Sequence, residues 1–270
     1  MSRPESWSAE AFNPVPESEN RIHADDVAHA YGFRGGLVPG VIVSAYLLHP
    51  AAAAWGRPWL ERGHAHVVVH SPVYDGEVFR VEVGRATHQR YEAKLIDEQA
   101  THCASAEVSL PPAPPEPPVR RGDPLVARAH EPPVASREVM ERLRESGLHA
   151  MRARWDQSSE ITRYLRDPSA MAPICRAEGA ANPAFVLGLS NWVLGQNVRM
   201  SPWLHLETHS QHFAAIEPGT KIVVEAAIDG LFEKKGHEFA DVEVGVFREA
   251  DDGALATIRL RAIYVLRPPH

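Results

Sequence analysis

Two stretches of the chain, residues 40–54 (GVIVSAYLLHPAAAA) and 184–198 (AFVLGLSNWVLGQNV), are apolar on nearly every side of a helical wheel. That pattern predicts helices enclosed by protein rather than helices lying on a surface. Both are too short to cross a bilayer. Behind each come runs of period-two alternation, the mark of half-buried strands. In the first half these fall around residues 65–70, 77–83 and 104–110, and in the second around 204–216, 221–228, 239–247 and 255–266. In the run beginning at Lys221, Ile222, Val224, Ala226 and Ile228 share one fully apolar face, while Lys221, Val223, Glu225 and Ala227 take the other. An enclosed helix followed by antiparallel strands, twice over, predicts an α+β protein in which each half wraps a curved sheet around a central helix. The two halves are expected to pack sheet to sheet.

Landmarks spaced along the chain support a tandem duplication. Pro58-Trp59-Leu60 recurs as Pro202-Trp203-Leu204, and Pro39 is answered by Pro183, at the same offset; Gly76 and Gly219 follow one residue out of step. Nine of the 23 prolines fall between Pro111 and Pro133, where polyproline geometry and missing N–H donors disfavour a sheet. This divides the chain into an N-terminal repeat (1–110), a proline-rich linker (111–134) and a C-terminal repeat (135–270), each repeat being of domain size.

Composition narrows the function. Of 270 residues, 44% are hydrophobic and 23% charged, as in an ordinary globular protein, and the net charge of −7 leaves no basic excess for nucleic acid or an anionic membrane. The two cysteines, Cys103 and Cys175, form no CxxC pair, which argues against a disulfide scaffold or a structural zinc site and for a reducing, cytoplasmic setting. The N-terminus carries Arg3, Glu5 and Glu10 and no apolar signal segment. Fifteen histidines invite a metal. His64, His66 and His70 are expected to share one face of a strand, as are His205, Glu207 and His209. Alternate strand residues lie roughly 6.6 Å apart, and ligands must approach an ion to about 2 Å, so neither trio alone can converge. No metal and no cofactor is expected. Gly35-Gly36 lacks the phosphate-loop context, and no GxSxG or Cys/His pair offers a covalent nucleophile.

The richest stretch runs from Ser18-Glu19-Asn20-Arg21-Ile22-His23-Ala24-Asp25-Asp26 through Gly32-Phe33-Arg34-Gly35-Gly36-Leu37-Val38-Pro39-Gly40. Asp25 or Asp26 is expected to cap a short helix ending at Gly32. Asn20 and His23 then lie in the loop before it. Pro39 suits the start of the enclosed helix, so that Gly40 presents a free N–H where helix dipoles concentrate positive charge. Such a donor can stabilise an oxyanion or enolate.

In these residues, and in Pro72-Val73-Tyr74-Asp75-Gly76-Glu77, the chain resembles the MaoC-like (R)-specific enoyl-CoA hydratases and dehydratases of the hotdog fold, in its double-hotdog form. The likeness is clear over residues 20–83 and weak in the second half. It implies an acyl-CoA or acyl-carrier-protein thioester as partner, with the acyl chain beside the central helix. It also implies His23 as an acid–base residue, Asn20 as its orienting neighbour and the Gly40 N–H on the thioester oxygen. The family's catalytic Asp is Ser18 here, a hydroxyl that cannot serve as general base at neutral pH. Arg21 and Pro39 are further departures. Glu17 or Glu19 is the nearest substitute base, Gly36, Val38 and Tyr74 are expected to line the substrate, and Asn191 with His205 form a secondary candidate site. The preferred activity is hydration or dehydration of a 2-enoyl thioester. The alternatives are a thioesterase and a catalytically silent acyl-binding partner subunit. Assembly as a homodimer or with another hotdog chain is left open.

Overall fold

The structure, a computed structural model, describes residues 2–127, 130–156 and 163–267. In the first half the described elements are β1 (Trp7–Glu10), α1 (Asp25–Ala30), α2 (Gly40–Trp55), α3 (Arg57–Arg62), β2 (His64–Val69), β3 (Val78–Gly84), β4 (Arg90–Asp97) and β5 (His102–Ser109). The second half supplies α4 (Arg137–Ser146), β6 (Met151–Arg154), α5 (Pro173–Ala177), α6 (Pro183–Asn197), β7 (Leu204–His212), β8 (Lys221–Lys234), β9 (His237–Arg248) and β10 (Ala254–Val265).

All ten strands belong to one antiparallel sheet, ordered β1-β3-β4-β5-β2-β7-β10-β9-β8-β6. Reading outward from the β2–β7 seam, the halves match strand for strand, and the enclosed helices α2 and α6 precede the two seam strands. The duplicated plan read from the sequence is therefore present. The expectation of two separate sheets packed face to face is not met, because β2 and β7 pair antiparallel, with His66 opposite His209, and join the halves edge to edge. Pairing satisfies two rows of backbone groups that would otherwise be left as open edges. Helices α2 and α6 pack against each other on the inner face of this sheet, with Leu47, Leu48, Phe185, Leu187, Leu189 and Val193 buried among them.

The sequence reading omits β1, β4 and β6. In β4, Tyr91, Ala93 and Leu95 point inward between charged Arg90, Glu92 and Lys94, so the alternation is present but partly carried by a small alanine. On the second face of β8, Glu225 is fully buried. The proline-rich segment crosses it, and the backbone N–H groups of Arg121 (2.8 Å), Gly122 (2.8 Å) and Asp123 (2.9 Å) all donate to the Glu225 carboxylate. The Arg120 guanidinium adds a fourth donor at 3.3 Å, so the buried charge is paired and solvated by protein. Helix α4 also packs against β8. Its N-terminus is capped by Ser136 Oγ, which accepts from the Val139 N–H at 3.2 Å, and Met140 is its buried anchor.

One irregularity bears on the site. Between β7 and β10, Arg261 faces Glu207 but Ala262 faces His205, leaving Leu206 as an extra residue in a bulge. The bulge turns His205 to the buried inner face while Glu207 and His209 stay partly exposed. His205, Glu207 and His209 therefore do not share a face as strict alternation implied.

Candidate functional site

A 3-10 turn, Arg21–His23, anchored by fully buried Ile22, sets the first half of the site. The Leu37 N–H donates to the Ile22 carbonyl at 3.1 Å, zipping this turn to the loop that leads into α2. The contact is so close that a Cβ on Gly36 would stand 2.2 Å from the His23 carbonyl oxygen, which only glycine allows. Asp25 holds the same loop by accepting the Gly36 N–H at 2.7 Å. Neither Asp25 nor Asp26 caps α1, whose N-cap is Ala24 without a side-chain bond; Asp26 instead pairs with Arg21.

The protonation pattern of His23 follows from its neighbours. Asn20 is locked to the second half because its Oδ1 accepts the Trp203 N–H and its Nδ2 donates to the Trp203 carbonyl, both at 3.1 Å. Reversing the amide would lose both bonds. Asn20 Nδ2 therefore faces His23 Nε2 at 3.2 Å, and Nε2 must be the accepting nitrogen. The proton sits on Nδ1, which donates to the Leu37 carbonyl at 2.7 Å. Burial pushes the His23 pKa down, and the Leu37 bond opposes this less strongly. The ring is neutral at pH 7, with a basic nitrogen directed at Asn20.

The α2 N-terminus completes the site. Pro39 is its N-cap without a side-chain bond, so Gly40 begins the helix with an N–H that has no intrahelical acceptor. A Cβ at Gly40 would lie 2.5 Å from the His205 carbonyl oxygen, so glycine is required where the seam of β7 crosses the helix end. His205 is enclosed: Nδ1 donates to Asn191 Oδ1 at 2.9 Å and Nε2 accepts from Thr208 Oγ1 at 2.5 Å. Burial lowers its pKa to about 4.

Asn20, His23, Val38, Gly40, Asn191 and His205 all line one inner cavity of about 160 Å³. A wider cleft of about 710 Å³ between the two halves shares Asn20, His23, Pro39, Asn191 and Trp203 with it, so the polar groups stand where the two spaces adjoin. The cleft, unlike the inner cavity, lies within the size range of small-molecule sites. Other expected residues fall elsewhere. Glu19 is exposed on the rim of the cleft beside Ser18, whose Oγ donates to the Asn20 carbonyl at 3.2 Å. Gly36 and Tyr74 line a third space of about 580 Å³ on another side of His23, where Tyr74 lies under the Arg34 guanidinium. His23 Nδ1 is bonded to Leu37 and Nε2 to Asn20, and among the described residues no carboxylate is bonded to either nitrogen. Trp203 and Thr208, which position Asn20 and His205, were not singled out as site residues; the repeated Pro-Trp-Leu was the available signal for Trp203.

No protein-family model and no curated protein matches this chain. Solved structures do match over nearly its whole length. Rv0216 of Mycobacterium tuberculosis, described as having a double hotdog fold, aligns over 97% of this chain and 96% of its own at 14% identity and a TM-score of 0.61. The fold is a double hotdog. The dehydratase domain of RzxB from Pseudomonas fluorescens shares it at 12% identity, with 97% and 96% covered and a TM-score of 0.53. So does a Thermobifida fusca protein provisionally described as a thioesterase II, at 14% identity, with 97% and 93% covered and a TM-score of 0.51. Double hotdogs thus include dehydratases and proteins described as thioesterases, and likeness at this identity establishes architecture rather than reaction. Among the described residues no helix is long and apolar enough to cross a membrane.

Proposed function

We propose that this double hotdog binds an acyl thioester with its carbonyl at the Gly40 N–H and hydrates a 2-enoyl chain reversibly, His23 acting as the acid–base residue. The supporting observation is the convergence of an unprotonated His23 Nε2 and the open α2 N-terminus on one cavity. In the hydration direction, His23 Nε2 displaces its long bond to Asn20 and takes a proton from water as the oxygen bonds to C3. Electron density moves onto the thioester oxygen, where the Gly40 N–H stabilises the enolate. The imidazolium then returns the proton to C2. One histidine can serve both steps, so the carboxylate missing at Ser18 does not prevent the reaction. The wider cleft would take the carrier, coenzyme A or a carrier-protein arm, and the inner cavity the acyl end.

Hydrolysis of the thioester is a second reading, favoured by the lack of a carboxylate bonded to His23, since a single base beside the carbonyl suffices to activate water. Incubation of the full chain with 2-enoyl and saturated acyl-CoA esters separates the readings. Loss of the conjugated enoyl absorbance is the expected result. Release of free thiol instead points to hydrolysis, and tight binding with neither change identifies a silent acyl-binding subunit.

A further inference from the structure

A separate cluster of polar side chains lies across the β2–β7 seam, on the face of the sheet away from His205. His66 stands opposite His209 in register, and Glu207 precedes His209 by two residues on the same strand. The two imidazoles stack with centroids 3.9 Å apart and planes 8° from parallel. Both aim Nε2 at one oxygen: Glu207 Oε1 is 2.8 Å from His66 Nε2 and 3.4 Å from His209 Nε2. Among the described residues this is the one trio of His, Cys, Asp or Glu whose ligand atoms all lie within 4.8 Å of one another. Spacing along a single strand forbids such convergence. Pairing between the halves creates it, with one ligand from β2 and two from β7.

We propose that His66, Glu207 and His209 bind a divalent transition-metal ion, zinc(II) in the first instance, which staples the two halves across their seam. Two imidazoles and a carboxylate are a ligand set that zinc accepts, and tetrahedral bonds of 2.0–2.1 Å place donor atoms about 3.3 Å apart. The two distances to Glu207 Oε1 bracket that spacing, and binding requires one of the stacked rings to turn so that both Nε2 lone pairs meet the ion. The other carboxylate oxygen is held by Arg261 Nη1 at 3.1 Å, and Arg261 is itself held by Asp241, so Oε1 is left oriented toward the histidines. Arg259, opposite His209, is engaged by Asp229 and Glu243, and Glu107 stands opposite His66, which offsets the nearby positive charge. Side-chain exposures of 32% for His66, 23% for Glu207 and 42% for His209 leave an entry path and a fourth position for water. The site does not depend on the proposed reaction.

The test uses the untagged full-length chain, stripped with a chelator and titrated with zinc(II) against a chromophoric competitor. One ion per chain at micromolar or tighter affinity is expected, with a rise in the thermal midpoint. His66→Ala and His209→Ala should each weaken binding at least tenfold and remove that rise, while His64→Ala stays within twofold. Circular dichroism checks that the variants fold. Cobalt(II) bound to the stripped chain should show visible d–d bands that both variants lose, a readout of coordination independent of stability. Absence of stoichiometric binding, or binding that survives both substitutions, overturns the proposal.

Discussion

The N-termini of α2 and α6 occupy equivalent places in the two halves but end differently. At α6, Asn182 Oδ1 accepts the Phe185 N–H at 3.1 Å, and Ala184, the counterpart of Gly40 at the repeat offset, is buried. At α2 the N-cap is Pro39, which brings no side-chain acceptor, and Gly40 lines a cavity with His23 and His205. The α6 cap takes the N–H of Phe185, one of the orphan donors of the first turn, and at α2 no side chain among the described residues takes any of them. The two matching helix ends thus differ in capping: a side chain closes over one donor of α6, whereas α2 has no side-chain acceptor at its N-terminus. The open end is still built by both halves, since Trp203 fixes Asn20 and the His205 backbone sets the space above Gly40.

The contrast can be broken at several points. The largest expected effect is on turnover. His23→Ala should reduce enoyl-thioester hydration by at least about 100-fold, the usual lower range for loss of a general acid–base group, without a comparable loss of stability. His205→Ala should act mainly on stability, read from denaturant midpoints, because both its nitrogens are used inside the protein. Equal kinetic losses in the two variants would remove the distinction. Gly40→Ala places a Cβ against the His205 carbonyl and should cost about 1–3 kcal/mol of stability, with reduced turnover. Ala184→Gly, its counterpart in the second half, should cost about 1 kcal/mol and reduce turnover less than Gly40→Ala.

Acid should act on the molecule in a defined window. Burial holds His205 and His212 at about 4, below the ordinary histidine value of 6.5. Between those values the unfolded chain binds more protons than the folded one, so stability is intact above pH 6.5 and falls as pH drops toward 4. Two such groups give a slope of up to roughly 3 kcal/mol per pH unit, measurable by denaturant titration at stepped pH. The acid limb of kcat/KM should likewise lie below 6.5, because burial lowers the His23 pKa and the basic form is the active one. A limb at or above 6.5 would contradict His23 as the buried base. The smallest effect concerns the capped end of α6: Asn182→Ala should cost about 1 kcal/mol through the lost cap, with no kinetic change.

Much of this architecture could be read from the residues. The enclosed helices announce themselves by apolar side chains on every face, and the repeated Pro-Trp-Leu marks the duplication because tryptophan is scarce. The joining of the halves was less visible. Edge pairing of β2 with β7 depends on backbone groups that every strand carries, so the alternation that predicts a strand does not name its neighbour. For the same reason the His66–Glu207–His209 cluster was hidden, and the bulge at Leu206, which sends His205 inward, leaves no mark in the pattern of apolar residues. At the site, Asn20, His23 and Gly40 were singled out together through the resemblance of residues 20–83 to the MaoC-like family, and all three line one cavity. Gly36 was set aside from the main cavity by a packing need, its hydrogen in place of a side chain against the His23 carbonyl. The role of Trp203 is played by its backbone, which no side-chain motif reports.

In the function proposed above, one site per chain, at His23 and Gly40, does the work. Calorimetric titration with a hydrolysis-resistant acyl-CoA thioether, combined with 15N NMR of labelled histidines, tests it most directly. One ligand per chain and a displaced His23 Nε2 resonance are expected, with binding impaired in Gly40→Ala. Two ligands per chain, or one whose binding leaves the His23 resonance unmoved, would contradict it.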